Sequence, residues 1–404
     1  MGLTPRERVL MALNHQEADR IPIDFGAMRS TGISVNAYMR LREKLGIKDG
    51  QVKLYDLMQW LAEPELPILE RLHGDVIQLH RYSPAFGLDI GAWREWTTPD
   101  GHEVLVPHGF DPVLMPDGSR VVMEGDTVIA RMTKDGHWFD QEYHPLANAT
   151  TYSDIDNHNF PTLSDEEYEF LCSEAKRLHD ETDYAVLAAF GGNIFEAGHF
   201  DFGYQNFMTM LAGNPDLALY YMDKLADSVI AQLERWLPAV RDYVQIIQVG
   251  DDLGMQTGPQ ISPKMYREMI KPFHARIYKY IKENSDLFIF LHSCGSIYSL
   301  LPDLIEIGVD IINPVQYQAA DMDPVGLKRE FGQHLTFWGG GCDTQHILSH
   351  GTIEEIKQET ERMVSILAPG GGFVFTQVHN ILREVDPERV IALYDTAYLH
   401  GWYR

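Results

Sequence analysis

Cysteine is scarce in this chain: 3 in 404 residues, an odd number. Three thiols cannot form a disulfide framework, and so few fit a reducing compartment. Positive charge is short as well, with Lys+Arg 33 against Asp+Glu 59 and a formal net charge of −26. A polyanion of that size is repelled by phosphate backbones and by anionic lipid, which argues against nucleic acid and membrane surfaces as partners. No apolar run approaches the roughly 20 residues that span a bilayer. The opening Met1-Gly2-Leu3-Thr4-Pro5 leads straight into a polar amphipathic segment without the apolar core of a signal peptide, so a cytoplasmic location is expected. Internal repeats, low-complexity tracts and a Gly-x-Gly-x-x-Gly after a strand are also missing, and the last of these argues against a doubly wound nucleotide-binding sheet. What remains is an ordinary globular composition, 45% hydrophobic and 23% charged.

Thr4-Pro5-Arg6-Glu7 has the form of a capping box with proline at the first helical position, and predicts a helix running to about Leu13. A short strand over 21–25 and a second over 75–80 are expected, with helical spacing between 40 and 72. From about 91 to 146 the texture changes. Asp-Gly turns at Asp100-Gly101, Asp117-Gly118 and Asp135-Gly136 alternate with β-rich pieces, which reads as an inserted antiparallel hairpin region. Beyond it strand and helix alternate, with strands over 184–190, 244–250, 287–292, 309–313, 335–339 and 372–377 and helix caps at Ser164, Ser262 and Thr352. Most of these strands are continuous apolar runs, as in a parallel sheet covered on both faces. Six late strands and two early ones make eight, the count of an α/β (β/α)8 TIM barrel with an N-terminal helical extension.

In such a barrel the residues after each strand converge on one mouth. They are strongly polar here: Arg29, Asn193, Glu196, His199, Asp251, Asp252, His292, Cys294, Asn313, Gln316, Cys342, Asp343, Gln377 and His379. His292-Ser293-Cys294 is the sharpest feature. Residues i and i+2 of a strand point the same way, so the imidazole and thiol can share one ion, and nitrogen with thiolate suits Zn²⁺. Chance pairing under a loop is the plainer reading. His379 follows the last strand and would be the third ligand, or a pocket histidine acting on protons. Cys342 follows three glycines and is either a less favoured ligand or a small apolar filler; Cys172 reads as inert packing. Asp251 and Asp252 can hold a proton, bind substrate or cap a helix, and Glu196 and His199 are equally open. Arg29 can grip a carboxylate or stay solvated.

At these residues the chain resembles the uroporphyrinogen decarboxylase superfamily over nearly its whole length. The resemblance is carried by Arg6 to Leu10 with Asp19-Arg20-Ile21-Pro22, Gly250-Asp251-Asp252-Leu253-Gly254 before Ser262-Pro263, His292-Ser293-Cys294-Gly295, Gly308-Val309-Asp310, Gly339 to Thr344, and Gly371-Gly372 leading to His379-Asn380. It implies one barrel domain over 1–404. True decarboxylases resemble the chain at Met28-Arg29, where their motif continues Gln-Ala-Gly-Arg-Tyr; here Ser30-Thr31-Gly32 follows, and the second arginine is missing. Their catalytic aspartate would fall near Arg81-Tyr82, which holds none, and their pocket tyrosine near His199.

The other branch contains zinc-dependent methyltransferases that work with corrinoid proteins, whose motif is His-x-Cys with a distant third ligand. His292 and Cys294 match it, and His379 stands where the last ligand, often Cys, would be. This resemblance implies methyl transfer between a small substrate, such as a methoxylated aromatic, and the cobalt of a corrinoid (cobalamin) on a partner protein. Zn²⁺ would be held by His292, Cys294 and His379. Asp252, Glu196 and Gln377 would position substrate or protonate the leaving oxygen. Arg29, His199, Asp251 and Asn313 would bind substrate, with Arg29 meeting a carboxylate. Decarboxylation of the uroporphyrinogen type, or a barrel binding a ligand or corrinoid partner without turnover, is the alternative.

Overall fold

The computed structural model describes residues 2–403. Helix α1 (Pro5–Leu13) begins where its sequence demands: Thr4 Oγ1 accepts from Glu7 N–H while Glu7 Oε2 accepts from Thr4 N–H. Seven parallel strands then curl into one sheet: β1 (Val76–Leu79), β2 (Ala185–Gly191), β3 (Ile246–Gly250), β4 (Phe288–His292), β5 (Ile311–Asn313), β6 (Thr336–Trp338) and β7 (Phe373–Val374), each paired with the next in chain order. The outer helices that matter below are α2 (Asp165–Glu181), α3 (Phe195–Phe202), α4 (Pro215–Val240), α5 (Lys271–Asn284), α6 (Ile353–Leu367) and α7 (Pro387–His400).

The expected first strand is present as a seam. Asp24 N–H donates to Phe375 O, Phe375 N–H to Pro22 O, and Asp75 N–H to Ile23 O, so residues 22–24 bridge β7 and β1 and close the ring. Pro22 has no N–H to donate, which keeps this stretch from forming a regular ladder. The fold is thus the (β/α)8 barrel. Its interior is filled from every strand, by Val76, Leu187, Ile246, Phe290, Ile311, Trp338 and Val374, with Val9 and Leu13 of α1 plugging the end where the strands begin. Asp75, wholly buried, ties that plug to the barrel by accepting from Arg8, Arg20 and Ile23 N–H.

Two departures from the sequence reading are local. Residues 40–72 are not one helical stretch. A helix over Val35–Lys44 stops where Gly46 and Gly50 take positive φ, short strands follow at Leu54–Asp56 and Leu61–Ala62, and Leu66–Arg71 resumes as a helix after Pro64. The insertion is antiparallel as expected, with pairs Trp93–Thr97/Glu103–Pro107 and Arg120–Glu124/Thr127–Met132, but the second of these turns at Gly125-Asp126 rather than at an Asp-Gly. The insertion packs on the barrel body through Trp60, whose ring meets Trp96, Phe110 and Phe139 edge-on or tilted. Among the described residues no helix is long and apolar enough to cross a membrane.

Candidate metal centre

Strand period explains why the mouth is chemical and the interior is not. Phe290 fills the barrel, and His292, two residues on, faces the same way one layer higher; Ile311 and Asn313 repeat the pattern on β5. Register sets Gly250, His292 and Asn313 side by side across β3, β4 and β5.

His292 is held in one tautomer. Asn313 Nδ2 donates to Trp338 O at 2.9 Å, which fixes the amide so that Oδ1, an acceptor only, faces His292 Nδ1 at 2.8 Å. Nδ1 therefore carries the proton, and Nε2 presents its lone pair to the mouth. Ser30 Oγ lies 2.9 Å from the same Nδ1 and 3.0 Å from Asn313 Oδ1, completing a buried triangle behind the ring.

The lone pair does not point into empty chemistry. Cys294 Sγ lies 3.5 Å from His292 Nε2, and Asp252 Oδ1 lies 3.6 Å from it. Ligand atoms of His292, Cys294 and His379 all lie within 4.8 Å of one another. Burial first, and the His292 ring second, push His379 down to about 4, so it is a neutral donor near pH 7. Burial first, and then the Asp252 and Glu196 carboxyl groups, push the Cys294 thiol well up. A divalent ion bound among these electron-pair donors would turn the thiol into thiolate. The spacing suits such an ion: tetrahedral bonds of about 2.3 Å to sulfur and 2.0–2.1 Å to nitrogen put the two about 3.5 Å apart.

The loop bearing Cys294 is stapled in place. Cys294 N–H donates to Asp252 Oδ1 and Gly295 N–H to Gln316 Oε1, while Ser293 Oγ, pointing the other way, accepts from Leu253 N–H. The two loops touch backbone to backbone. A Cβ on Gly254 would sit 2.5 Å from Cys294 O, and one on Gly295, at φ +81°, 2.5 Å from the Gly254 carbonyl carbon.

The chain belongs to the uroporphyrinogen decarboxylase family. That family's model, described as uroporphyrinogen decarboxylase (URO-D), matches residues 141–400, which include every ligand candidate. The uroporphyrinogen decarboxylase of Bacillus subtilis (strain 168) is 23% identical over 418 residues, 99% of this chain and 96% of that one. The enzyme of the same name from Saccharophagus degradans is 26% identical over 193 residues, spanning 46% of this chain and 49% of its own. Among solved structures, a methyltransferase from Methanosarcina mazei superposes over 98% of this chain and 99% of its own with a TM-score of 0.62 at 14% identity, and shares the fold.

The other expected site residues of this family member divide sharply. Glu196, on the first turn of α3, holds the Asn193 amide, and burial with the nearby Asp252 and Asp251 pushes its carboxyl up to about 8. It is a protonated acid at neutral pH. Asp251 is no substrate contact: it is fully buried and accepts from Ile194, Phe195 and Glu196 N–H and from His274 Nε2, so it clamps the start of α3 to α5. Gln377 is sealed as well, donating to Thr31 O and accepting from Tyr394 OH, with no accessible atom for chemistry. Asn313 serves His292 rather than a ligand. Arg29 is engaged by Asp56 and by Pro84 O. His199 is packed against Phe195, Tyr204 and Phe207, with burial lowering its pKa and a buried Nε2 that has no partner among the described residues. Cys342 is buried and outside the ligand cluster, its thiol 3.8 Å from Asp343 O. Asn193, one of the polar residues expected at the mouth, serves Glu196; Ser30 is the site residue that the sequence reading misses, its one signal being the point at which the decarboxylase-like motif breaks off.

Proposed function

We propose that this chain is a zinc-dependent methyltransferase that moves a methyl group between a small substrate and the cobalt of a corrinoid on a separate protein. The observation that carries the reading is the convergence of His292 Nε2, Cys294 Sγ and a ring nitrogen of His379 at the barrel mouth. Three protein ligands leave one position of a tetrahedral ion for substrate. Bound there, Zn²⁺ would supply Lewis acidity toward the substrate's oxygen or sulfur.

The chain's own residues do the rest. Asn313 and Ser30 hold the His292 ring so that it has no rotational freedom to lose on binding. Asp252 fixes the Cys294 loop and keeps a carboxylate oxygen at the edge of the donor set. The Glu196 carboxyl, protonated up to about pH 8, is the proton source for an oxygen that has lost its methyl group. Asp251 sets the start of α3 and hence the reach of Glu196.

Decarboxylation is the second reading, favoured by the family's name and by the relatives that bear it. The two separate in paired assays. With a reduced corrinoid protein and a panel of methoxy, methylthio and methylamine compounds, the expected result is a methyl-cobalt absorption spectrum that Cys294→Ala abolishes. Release of carbon dioxide from uroporphyrinogen by chelator-treated protein would overturn the reading. Corrinoid-protein binding without turnover across the panel would favour a binding barrel.

A further inference from the structure

Arg81 lies just past the end of β1, on the same face of the barrel as the metal candidates. Its Nη1 lies over Gly191 at the end of β2. A Cβ on that glycine would be 3.4 Å from Nη1 and 3.6 Å from Asn193 Oδ1, and Asn193 in turn holds Glu196. Gly191 has φ +96°, a conformation that also keeps this wall bare of a side chain. The residue is exposed, yet among the described residues its guanidinium makes no hydrogen bond and pairs with no carboxylate. Arg29 is the contrast: it shares the mouth, it is felt electrostatically by Arg81, and Asp56 has already neutralised it. The walls around Arg81 disfavour its charge, and Glu167 is the acidic group whose field offsets this. A fork of donors without a planar acceptor is a carboxylate site in waiting.

We propose that Arg81 binds a carboxylate of the substrate, so that the methyl compound handled at this mouth is a carboxylic acid. This rests on the methyl-transfer reading and narrows its substrate class. The neighbouring Glu196 is no obstacle, because a neutral carboxyl does not repel the incoming anion. The methyl group and the carboxylate must lie at opposite ends of the ligand, since the guanidinium borders Gly191 and Asn193 on β2 while the metal donors sit on β4 and after β7.

The test uses zinc-loaded full-length protein and three matched pairs of probes: 4-methoxybenzoate with 4-methoxybenzyl alcohol, methoxyacetate with 2-methoxyethanol, and dimethylglycine with dimethylethanolamine. Calorimetric titration should show at least one acid binding about ten- to hundredfold more tightly than its uncharged or cationic partner, the worth of a charge-assisted bidentate contact. Arg81→Gln should collapse that ratio toward one, and Arg81→Lys should restore only part of it. Circular dichroism and zinc content verify that the variants fold. Equal affinity within every pair, no binding of any acid, or a ratio unchanged in Arg81→Gln would each overturn the proposal. The two readings fail separately. Methyl transfer to cobalt without a carboxylate preference removes Arg81 and leaves the function, whereas an Arg81-dependent preference without methyl transfer does the reverse.

Discussion

At the scale of single residues, the site depends on which atoms carry protons. His292 offers Nε2 because Asn313 Oδ1 accepts a hydrogen bond from Nδ1–H, and Asn313 can do so because Trp338 O holds its amide the right way round. Asn313→Ala should therefore weaken zinc binding about 10- to 100-fold in a chelator competition while leaving all three ligands in place; an unchanged affinity would show that the ring needs no such support. Glu196 is governed by burial instead. Its folded value near 8 lies above the ordinary 4.5, so the protonated carboxyl is the form the fold favours. The stability it contributes is complete below about pH 4.5 and is lost as pH rises through about 8. Glu196→Gln stays neutral throughout. In chelator-treated protein the melting temperature of the wild type should fall relative to the variant across that window and run parallel to it below. A constant difference from pH 4 to 9 would contradict the assignment.

At the scale of elements, the loops after β3 and β4 cross at Gly254 and Gly295 with no room for a methyl group on either. Gly295→Ala, strained at φ +81° as well, should push the Cys294 loop off the donor set and lower bound zinc in the purified protein, with little change in helix content. The His292-Ser293-Cys294 pair was legible in the sequence because strand alternation is a local rule: Ser293, between them, does point the other way, to Leu253 N–H. The helix caps at Thr4, Ser164 and Thr352 were legible for the same reason, and each accepts the hydrogen bond that its neighbours predict. Asp251 was not. Capping was among its readings, but the helix it caps starts more than 50 residues earlier and the histidine buried with it stands 23 residues later on α5, so neither partner is visible locally. For Arg29 the sequence offers a substrate carboxylate or solvent but not the ion pair it makes, for a similar reason: its partner Asp56 is 27 residues away in a segment whose spacing looks helical.

At the scale of the whole molecule, the eight-fold count was correct although the first member of the ring is a seam without a regular ladder. Apolar patterning marks the position of a strand, and Pro22 decides its hydrogen bonds. The seam, the N-terminal plug and β1 meet at Asp75, which accepts from two arginines and a backbone N–H while wholly buried. Asp75→Ala leaves Arg20 buried without a counter-ion, while Arg8 keeps Asp19, and should cost about 3–5 kcal/mol in denaturant unfolding, far more than a surface ion pair of the same length; a loss below about 1 kcal/mol would mean that the plug is not tied to the ring through this carboxylate.

The net charge of −26 first served to exclude polyanionic partners; within the fold, Asp252 and Glu196 stand beside the His292, Cys294 and His379 donor set, a setting that favours a cation. The most direct test of that centre is the metal itself. X-ray absorption at the zinc edge, together with metal analysis of the purified protein, should find one zinc per chain with one sulfur and two imidazole nitrogens, and both the sulfur shell and the metal should disappear in Cys294→Ala. A protein that transfers methyl groups without metal, or a Cys294→Ala variant that keeps its zinc in an unchanged ligand shell, would contradict it.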